Sequence, residues 1–283
     1  MEVIIRPTAD AAAELVARVI ARALRANPHL VLGLATGCTM ESVYAWLVRM
    51  HREEGLDFSS CRTFNLDEYV GLPARDPHSY RHYMNHHLFR RVNIDLRNTH
   101  VPDGMAVVLD AECANYEQQI ADAGGIDIQL LGIGYAGHLG FNEPLSALRS
   151  RTREKALSPT TRAQNAPLFK RPDLVPRRAI TMGVGTILDS RRCILLATGV
   201  EKAEIVAKAV EGPITSMISA TALQLHPRCT VVVDEAATGQ LRETTYYRWI
   251  FENEPEWEFF RRLSAGEPAR KIRRRTGHSK VTA

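Results

Sequence analysis

The chain has 283 residues, 45% apolar and 24% charged, the balance of a globular protein long enough to bury its own core without a metal or disulfide scaffold. Its five cysteines (Cys38, Cys61, Cys113, Cys193 and Cys229) are odd in number, widely spaced and without CxxC, which argues against a disulfide framework or zinc ribbon and for reduced thiols in a cytoplasm. No uninterrupted apolar run of about 18 residues occurs and no apolar signal core precedes Asp10, so neither a membrane nor a secretory route is expected.

Residues 9–26 place Ala12, Leu15, Val16, Val19, Ile20 and Leu24 on one helical face, with Asp10 near the start. His29–Leu34 then reads as a buried strand ending in the turn Ala35–Thr39. Further strands are predicted at Cys61–Leu66, Ile126–Ile133, Ala179–Gly183, Cys193–Thr198 and Thr230–Asp234, and helices near 40–54, 79–91, 109–123, 201–211 and 240–253. Strands rich in Val, Ile and Leu that alternate with helices imply an α/β fold with a mostly parallel sheet covered on both faces. There is no internal repeat and no linker that divides the chain, so residues 1–260 are expected to form a single domain. The stretch 261–283 closes the chain as a basic tail, with eight Lys/Arg and one acid between Arg261 and Lys280. It lacks interleaved aromatics, which argues against nucleic acid, and Gly266, Pro268 and Gly277 suit a frayed terminus.

In open parallel sheets ligands bind beyond the carboxyl ends of the strands, and three strand ends here carry reactive side chains. Thr36-Gly37-Cys38-Thr39 joins a strand to a helix, where unpaired N–H groups and two hydroxyls can cradle an anion. Asn65-Leu66-Asp67-Glu68 brings two carboxylates. Gly132-Ile-Gly134-Tyr-Ala-Gly137 is a literal GxGxxG, but Phe141-Asn142-Glu143-Pro144 follows where a dinucleotide site needs a continuing helix. The glycines are therefore read as admitting a small ligand close to the backbone. His82 and His86, four residues apart with His87 adjacent, lack the acid and third ligand of a metal site and read as a solvated or subunit-contact face.

Three segments, Thr63–Pro73, Gly132–Pro144 and Ser150–Arg153, strongly resemble the glucosamine-6-phosphate deaminases. Asp76–Tyr80, Met182–Asp189, Lys202, Ala209–Gly212 and Leu223–Pro227 support the likeness, in order along the chain. Related 6-phosphogluconolactonases share the glycine-rich loop, but Phe141-Asn-Glu-Pro144 points to the deaminases. The resemblance implies a modified Rossmann-like three-layer sandwich without metal or redox cofactor. It also implies an amino-sugar phosphate as substrate and a reaction of deaminase, isomerase and hydrolase character: ring opening, aldose–ketose isomerisation and loss of the 2-amino group as ammonia. Asp67 matches the base that moves the proton from carbon 2 to carbon 1, and Glu68 a supporting contact. His138 matches the ring-opening group and Glu143 its carboxylate partner. Thr36, Gly37, Cys38, Thr39, Gly137 and Lys202 match positions around the substrate and its phosphate. Members range from hexamers to monomers, and a homo-oligomer is expected here.

Three departures stand out. Ala136 replaces an aspartate that orients the histidine, Pro167 replaces a phosphate-gripping arginine, and Cys38 replaces a glycine of the phosphate loop, where a side chain matters most if φ is positive. Lys170 or Arg171 is the expected substitute for the arginine. Ala147 and Ala156, near Ser146, Arg153 and Lys155, replace hydroxyl residues of a region used for allosteric activation in some members, so activation is not expected. Two alternatives stand beside the main reading: an isomerase or deaminase acting on a sugar with a different distal group, and a sugar-phosphate sensor without turnover.

Overall fold

The computed structural model describes residues 1–169 and 171–264. Helices and strands alternate as β1 (Glu2–Arg6), α1 (Ala9–Ala26), β2 (Val31–Leu34), α2 (Cys38–Glu54), β3 (Arg62–Asn65), β4 (Asp67–Tyr69), α3 (Tyr80–Met84), β5 (Thr99–His100), α4 (Leu109–Asp122) and β6 (Ile128–Leu131). They continue as β7 (Arg153–Ala156), α5 (Pro159–Asn165), β8 (Arg178–Thr181), α6 (Val184–Leu188), β9 (Cys193–Ala197), α7 (Ala203–Glu211), β10 (Cys229–Asp234), α8 (Thr244–Asn253) and α9 (Glu258–Ser264).

Seven strands form a wholly parallel sheet in the order β1-β10-β9-β6-β2-β3-β5. β2, β6, β9 and β10 are buried along their whole length, as a sheet covered on both faces requires. Crossovers stepping toward β5 carry α1 and α2, which pack on each other. Those stepping back toward β1 carry α4 and α7, and right-handed crossover puts these on the opposite face. The direction of winding reverses between β2 and β6, so the loops after these two strands part and leave a crevice.

α1 has the bounds and buried face expected from its periodicity, and the Thr8 hydroxyl caps it by accepting from Ala11 N–H at 3.1 Å. The 79–91 helix is not continuous: α3 gives way at Asn85 to a π-helical turn, Asn85–Phe89. The 240–253 helix begins only at Thr244. Strand Ala179–Gly183 does not join the parallel sheet. As β8 it is the centre of a second, antiparallel sheet in the order β4-β8-β7. Leu66 is the pivot between the sheets: its N–H bonds Leu34 C=O at 3.0 Å in the main sheet, and its C=O accepts from Met182 N–H at 2.7 Å in the second. A small apolar cluster of Tyr69, Phe141, Leu157, Phe169, Val175 and Ala179 packs against this second sheet. At the far end α9 takes in Arg261 and Arg262, and the basic tail beyond Ser264 lies outside the described residues. Among the described residues no helix is long and apolar enough to cross a membrane.

Candidate active site

The loop after β2 enters α2 through Gly37, whose φ of +113° is open to glycine alone without strain. Two tyrosine hydroxyls pin the loop, that of Tyr44 donating to Ala35 C=O and that of Tyr83 to Gly37 C=O. Tyr80, the first residue of α3, lies near the Thr36 side chain, and its hydroxyl donates to that of Tyr69 at 3.4 Å. The first-turn N–H groups of α2, at Cys38 and Thr39, have no acceptor within the helix and point out of its positive end, a ready anion site. Cys38 is exposed and already helical, and the left-handed conformation falls on Gly37 instead, so the side chain at 38 brings no backbone strain.

The loop after β6 runs beside this cradle. Gly132 lies against Met40 of α2, and Ile133 C=O accepts from Lys202 Nζ at 3.0 Å. Lys202, from the loop after β9, is thereby brought to the same crevice, its Nζ 3.7 Å from the centroid of the Tyr135 ring. The loop then closes on itself through Gly134 N–H to His138 C=O (3.0 Å) and Gly137 N–H to Gly134 C=O (2.9 Å). This fold-back lays the His138 imidazole over Gly134: a β-carbon there would fall 2.1 Å from Nε2. The motif's glycines thus admit the protein's own side chains, not a ligand alone, because at Gly137 (φ +75°) Ile205 and Ile218 fill the equivalent space.

Asp67 opens β4 just past the pivot, opposite Thr181 of β8. Its side chain is 5% exposed, and burial, with the Glu68 charge adding to it, pushes the carboxyl up to about 8. Gly140 passes over it so closely that a β-carbon would come 3.0 Å from Asp67 Oδ2 and 2.9 Å from Thr181 Oγ1. Two residues, roughly 7 Å of chain, separate Gly140 from His138. One loop therefore carries the imidazole and covers the carboxylate.

His138 is held below the usual histidine range by burial and by the nearby Lys202 charge, with Glu143 acting the other way. Its Nδ1 is buried without a hydrogen-bond partner. Glu143 is fixed by Ser158 N–H donating to Oε1 at 2.9 Å. The crevice thus combines a buried carboxylate that titrates near neutrality, a neutral imidazole and an anion cradle with a lysine. This set can shift protons beside a carbonyl while holding a distal anion.

Glu68 is placed differently from its expected role. Its carboxylate accepts from Ser79 Oγ (2.7 Å) and from the N–H groups of Tyr69 (2.8 Å), Tyr80 (3.0 Å) and Arg81 (3.0 Å), so it is engaged in capping α3. Glu68→Ala strands these donors in the interior, and a loss of about 3 kcal/mol of stability is expected, readable by urea denaturation; an unchanged midpoint would remove the capping role. Arg171 is exposed and paired with Asp173 at 2.7 Å, and Pro167 is exposed. Lys170 lies outside the described residues. His82 and His86 do not converge on a ligand set, and His87 faces Glu41 at 4.0 Å. Among the described residues no group of three or more His, Cys, Asp or Glu is arranged to hold a metal ion.

Sequence reasoning passed over Tyr80, Thr181, Gly140 and Tyr135. Thr181 gave no local signal and Tyr80 entered only as the end of the Asp76–Tyr80 likeness, since sheet pairing and the α3 cap bring them to the site. Gly140 and Tyr135 lay inside the glycine-rich motif and were legible there.

Comparison with known proteins shows the family. Residues 6–232 match the family model of glucosamine-6-phosphate isomerases/6-phosphogluconolactonase. Glucosamine-6-phosphate deaminase from Arthrobacter sp. (strain FB24) is 48% identical over 258 residues, which cover 91% of this chain and 99% of the relative. The Streptomyces coelicolor protein of the same name is 46% identical over 259 residues, again 91% and 99%. Among solved structures, a monomeric glucosamine-6-phosphate deaminase superposes with a TM-score of 0.83 at 44% identity, covering 85% of this chain and all of that one. The 6-phosphogluconolactonase from Trypanosoma brucei, at 21% identity and a TM-score of 0.68 over 85% of this chain and 98% of its own, shares the fold. The chain belongs to the glucosamine-6-phosphate isomerase/6-phosphogluconolactonase family.

Proposed function

We propose that the protein is an enzyme that converts glucosamine 6-phosphate to fructose 6-phosphate and ammonia. The observation that carries this reading is the buried Asp67 carboxylate under the loop that bears His138, beside the α2 anion cradle. Relatives of 46–48% identity over nine-tenths of the chain carry the same activity in their names.

In this reading the phosphate lies on the first turn of α2 with Thr36, Thr39 and Lys202 around it. His138, neutral at pH 7, takes the proton of the anomeric hydroxyl and returns one to the ring oxygen, which breaks the C1–O5 bond and opens the chain. Asp67 then removes the carbon-2 proton: the C–H pair becomes the C1–C2 double bond of an enolamine as the carbonyl oxygen is protonated. The same carboxyl returns the proton to carbon 1, leaving an iminium at carbon 2, and the proton that the carbonyl oxygen took from solvent leaves at the end with the ammonia as ammonium. Water adds there and ammonia departs, so the balance takes up one water and the net change is isomerisation with hydrolytic loss of the amine.

Glu143 supports the imidazole during ring opening, as the carboxylate that draws its affinity for protons upward. The test is release of ammonia and fructose 6-phosphate by the purified chain. Saturable turnover of glucosamine 6-phosphate is expected, and its absence with correctly folded protein overturns the reading.

The orphaned Nδ1 of His138 makes a second expectation concrete. Ala136→Asp gives the ring a carboxylate partner that fixes its tautomer and raises its basicity, and kcat should rise about tenfold if ring opening limits turnover. Comparing the cyclic substrate with an analogue locked in the open-chain form checks this, because only the cyclic substrate should gain. The family expectation of a homo-oligomer meets a relative described as monomeric; light scattering of the eluted protein distinguishes the two.

A further inference from the structure

Among the described residues, few cations stand at the anion end of the site. Pro167 stands where the resemblance implies an arginine, and Arg171 is tied to Asp173 on the surface. Among the described residues, the cation hydrogen-bonded into the loop beside the cradle is Lys202. Lysine is a point charge on a flexible stem, and unlike arginine it has no rigid fork to set its direction. Something else must hold it in place.

Tyr135 is the residue placed to do so. It sits between the glycines of the loop, 54% exposed, outside the apolar core. Its ring face lies 3.7 Å from Lys202 Nζ, well inside cation–π range, while Ile133 C=O takes one N–H of the same ammonium at 3.0 Å. An ammonium so held has two sides occupied and keeps an N–H for a ligand anion. Ile133 and Tyr135 flank Gly134, which carries the His138 ring, so the same short turn sets both the cation and the imidazole.

We propose that Tyr135 is a positioning residue for the substrate phosphate, acting through Lys202: its ring fixes the ammonium beside the amino end of α2 as a pre-set point charge. This rests on the assignment of the α2 cradle and Lys202 to the phosphate.

The test measures kcat and KM for glucosamine 6-phosphate and competitive inhibition by inorganic phosphate in Tyr135→Ala, Tyr135→Phe and Lys202→Met. Tyr135→Ala should raise KM and the phosphate inhibition constant together, by about five- to tenfold, with kcat falling less than about threefold. Tyr135→Phe keeps the π face and should match the parent. If Lys202→Met raises both constants and Tyr135→Ala does not, the proposal fails alone. If Tyr135→Phe is as weak as Tyr135→Ala, the hydroxyl is responsible and the proposal fails. If Lys202→Met leaves both constants unchanged, the phosphate assignment fails and takes this inference with it. Thermal melts of the three variants guard against misfolding, and a melt shared with the parent is expected for an exposed loop residue.

Discussion

Asp67→Asn should lower kcat by about a thousandfold, with KM for glucosamine 6-phosphate changed only a few-fold, because the amide keeps the shape of the carboxyl but cannot accept the carbon-2 proton. The parent's pH profile carries the same assignment. With the Asp67 carboxyl pushed up to about 8, the base form is the minority species at neutral pH. The kcat/KM of the parent should therefore climb about tenfold per pH unit on the acid side of 8 and level off above it. A flat profile between pH 6 and 8 would show that the Asp67 carboxyl does not titrate in that range, and the Asp67→Asn kinetics would then carry the assignment by themselves.

The same residue has a stability signature of opposite sign to its catalytic value. In the unfolded chain the carboxyl ionises near its ordinary 3.8, whereas in the fold it holds its proton to about 8. Between these limits the folded state binds more protons than the unfolded one, so stability contributed at this site is full below pH 4 and declines as pH rises to 8. Asparagine carries no such cost. The melting temperature of Asp67→Asn should therefore match the parent near pH 4 and exceed it by a growing margin up to pH 8. An equal difference at pH 5 and pH 8 would show that Asp67 is not titrating in this window. Loss of activity together with gain of stability is what a buried base held for function predicts.

Gly134→Ala is the second large effect expected, about a hundredfold in kcat. The added methyl falls 2.1 Å from His138 Nε2 and 2.5 Å from Cδ2 and Cε1, so the imidazole must move off the turn that seats it. A displacement of an ångström at a reacting group costs about that factor. Gly134 has ordinary negative φ, so the backbone itself tolerates alanine and folding should survive. Proton NMR of the His138 ring, with steady-state kinetics, checks the claim: the ring resonances should shift and kcat should fall. Normal kcat with shifted resonances would remove His138 from ring opening.

How far the site could be read from the residues follows from how local each part is. The candidate anion cradle was legible because a strand, a glycine and a helix start are contiguous, and its donors are backbone groups. The His138 loop was legible as a motif, but its glycines were assigned to a ligand when they make room for the imidazole and two isoleucines. Glu68 shows the limit most clearly. Adjacent to Asp67, it looked like a second site carboxylate, yet alternation along β4 sends it the other way, to the amino end of α3. The second sheet was missed because β4 and β7 are short and mixed in polarity, which leaves no periodicity to detect.

From the order of residues alone came the α/β class and the bounds of α1 and most parallel strands, while the resemblance to the deaminases supplied the expected roles of Asp67, His138, Glu143 and Lys202 and the three departures. These depend on periodicity or on contiguous motifs, which a chain carries whatever its tertiary contacts. Which departures matter came only with the folded chain. Cys38 carries no backbone strain because the positive φ falls on Gly37, while the His138 Nδ1 is buried without a partner. The Tyr135–Lys202 contact joins residues 67 positions apart in sequence. Burial, desolvation and ring stacking arise where distant segments meet, and no local pattern encodes that meeting.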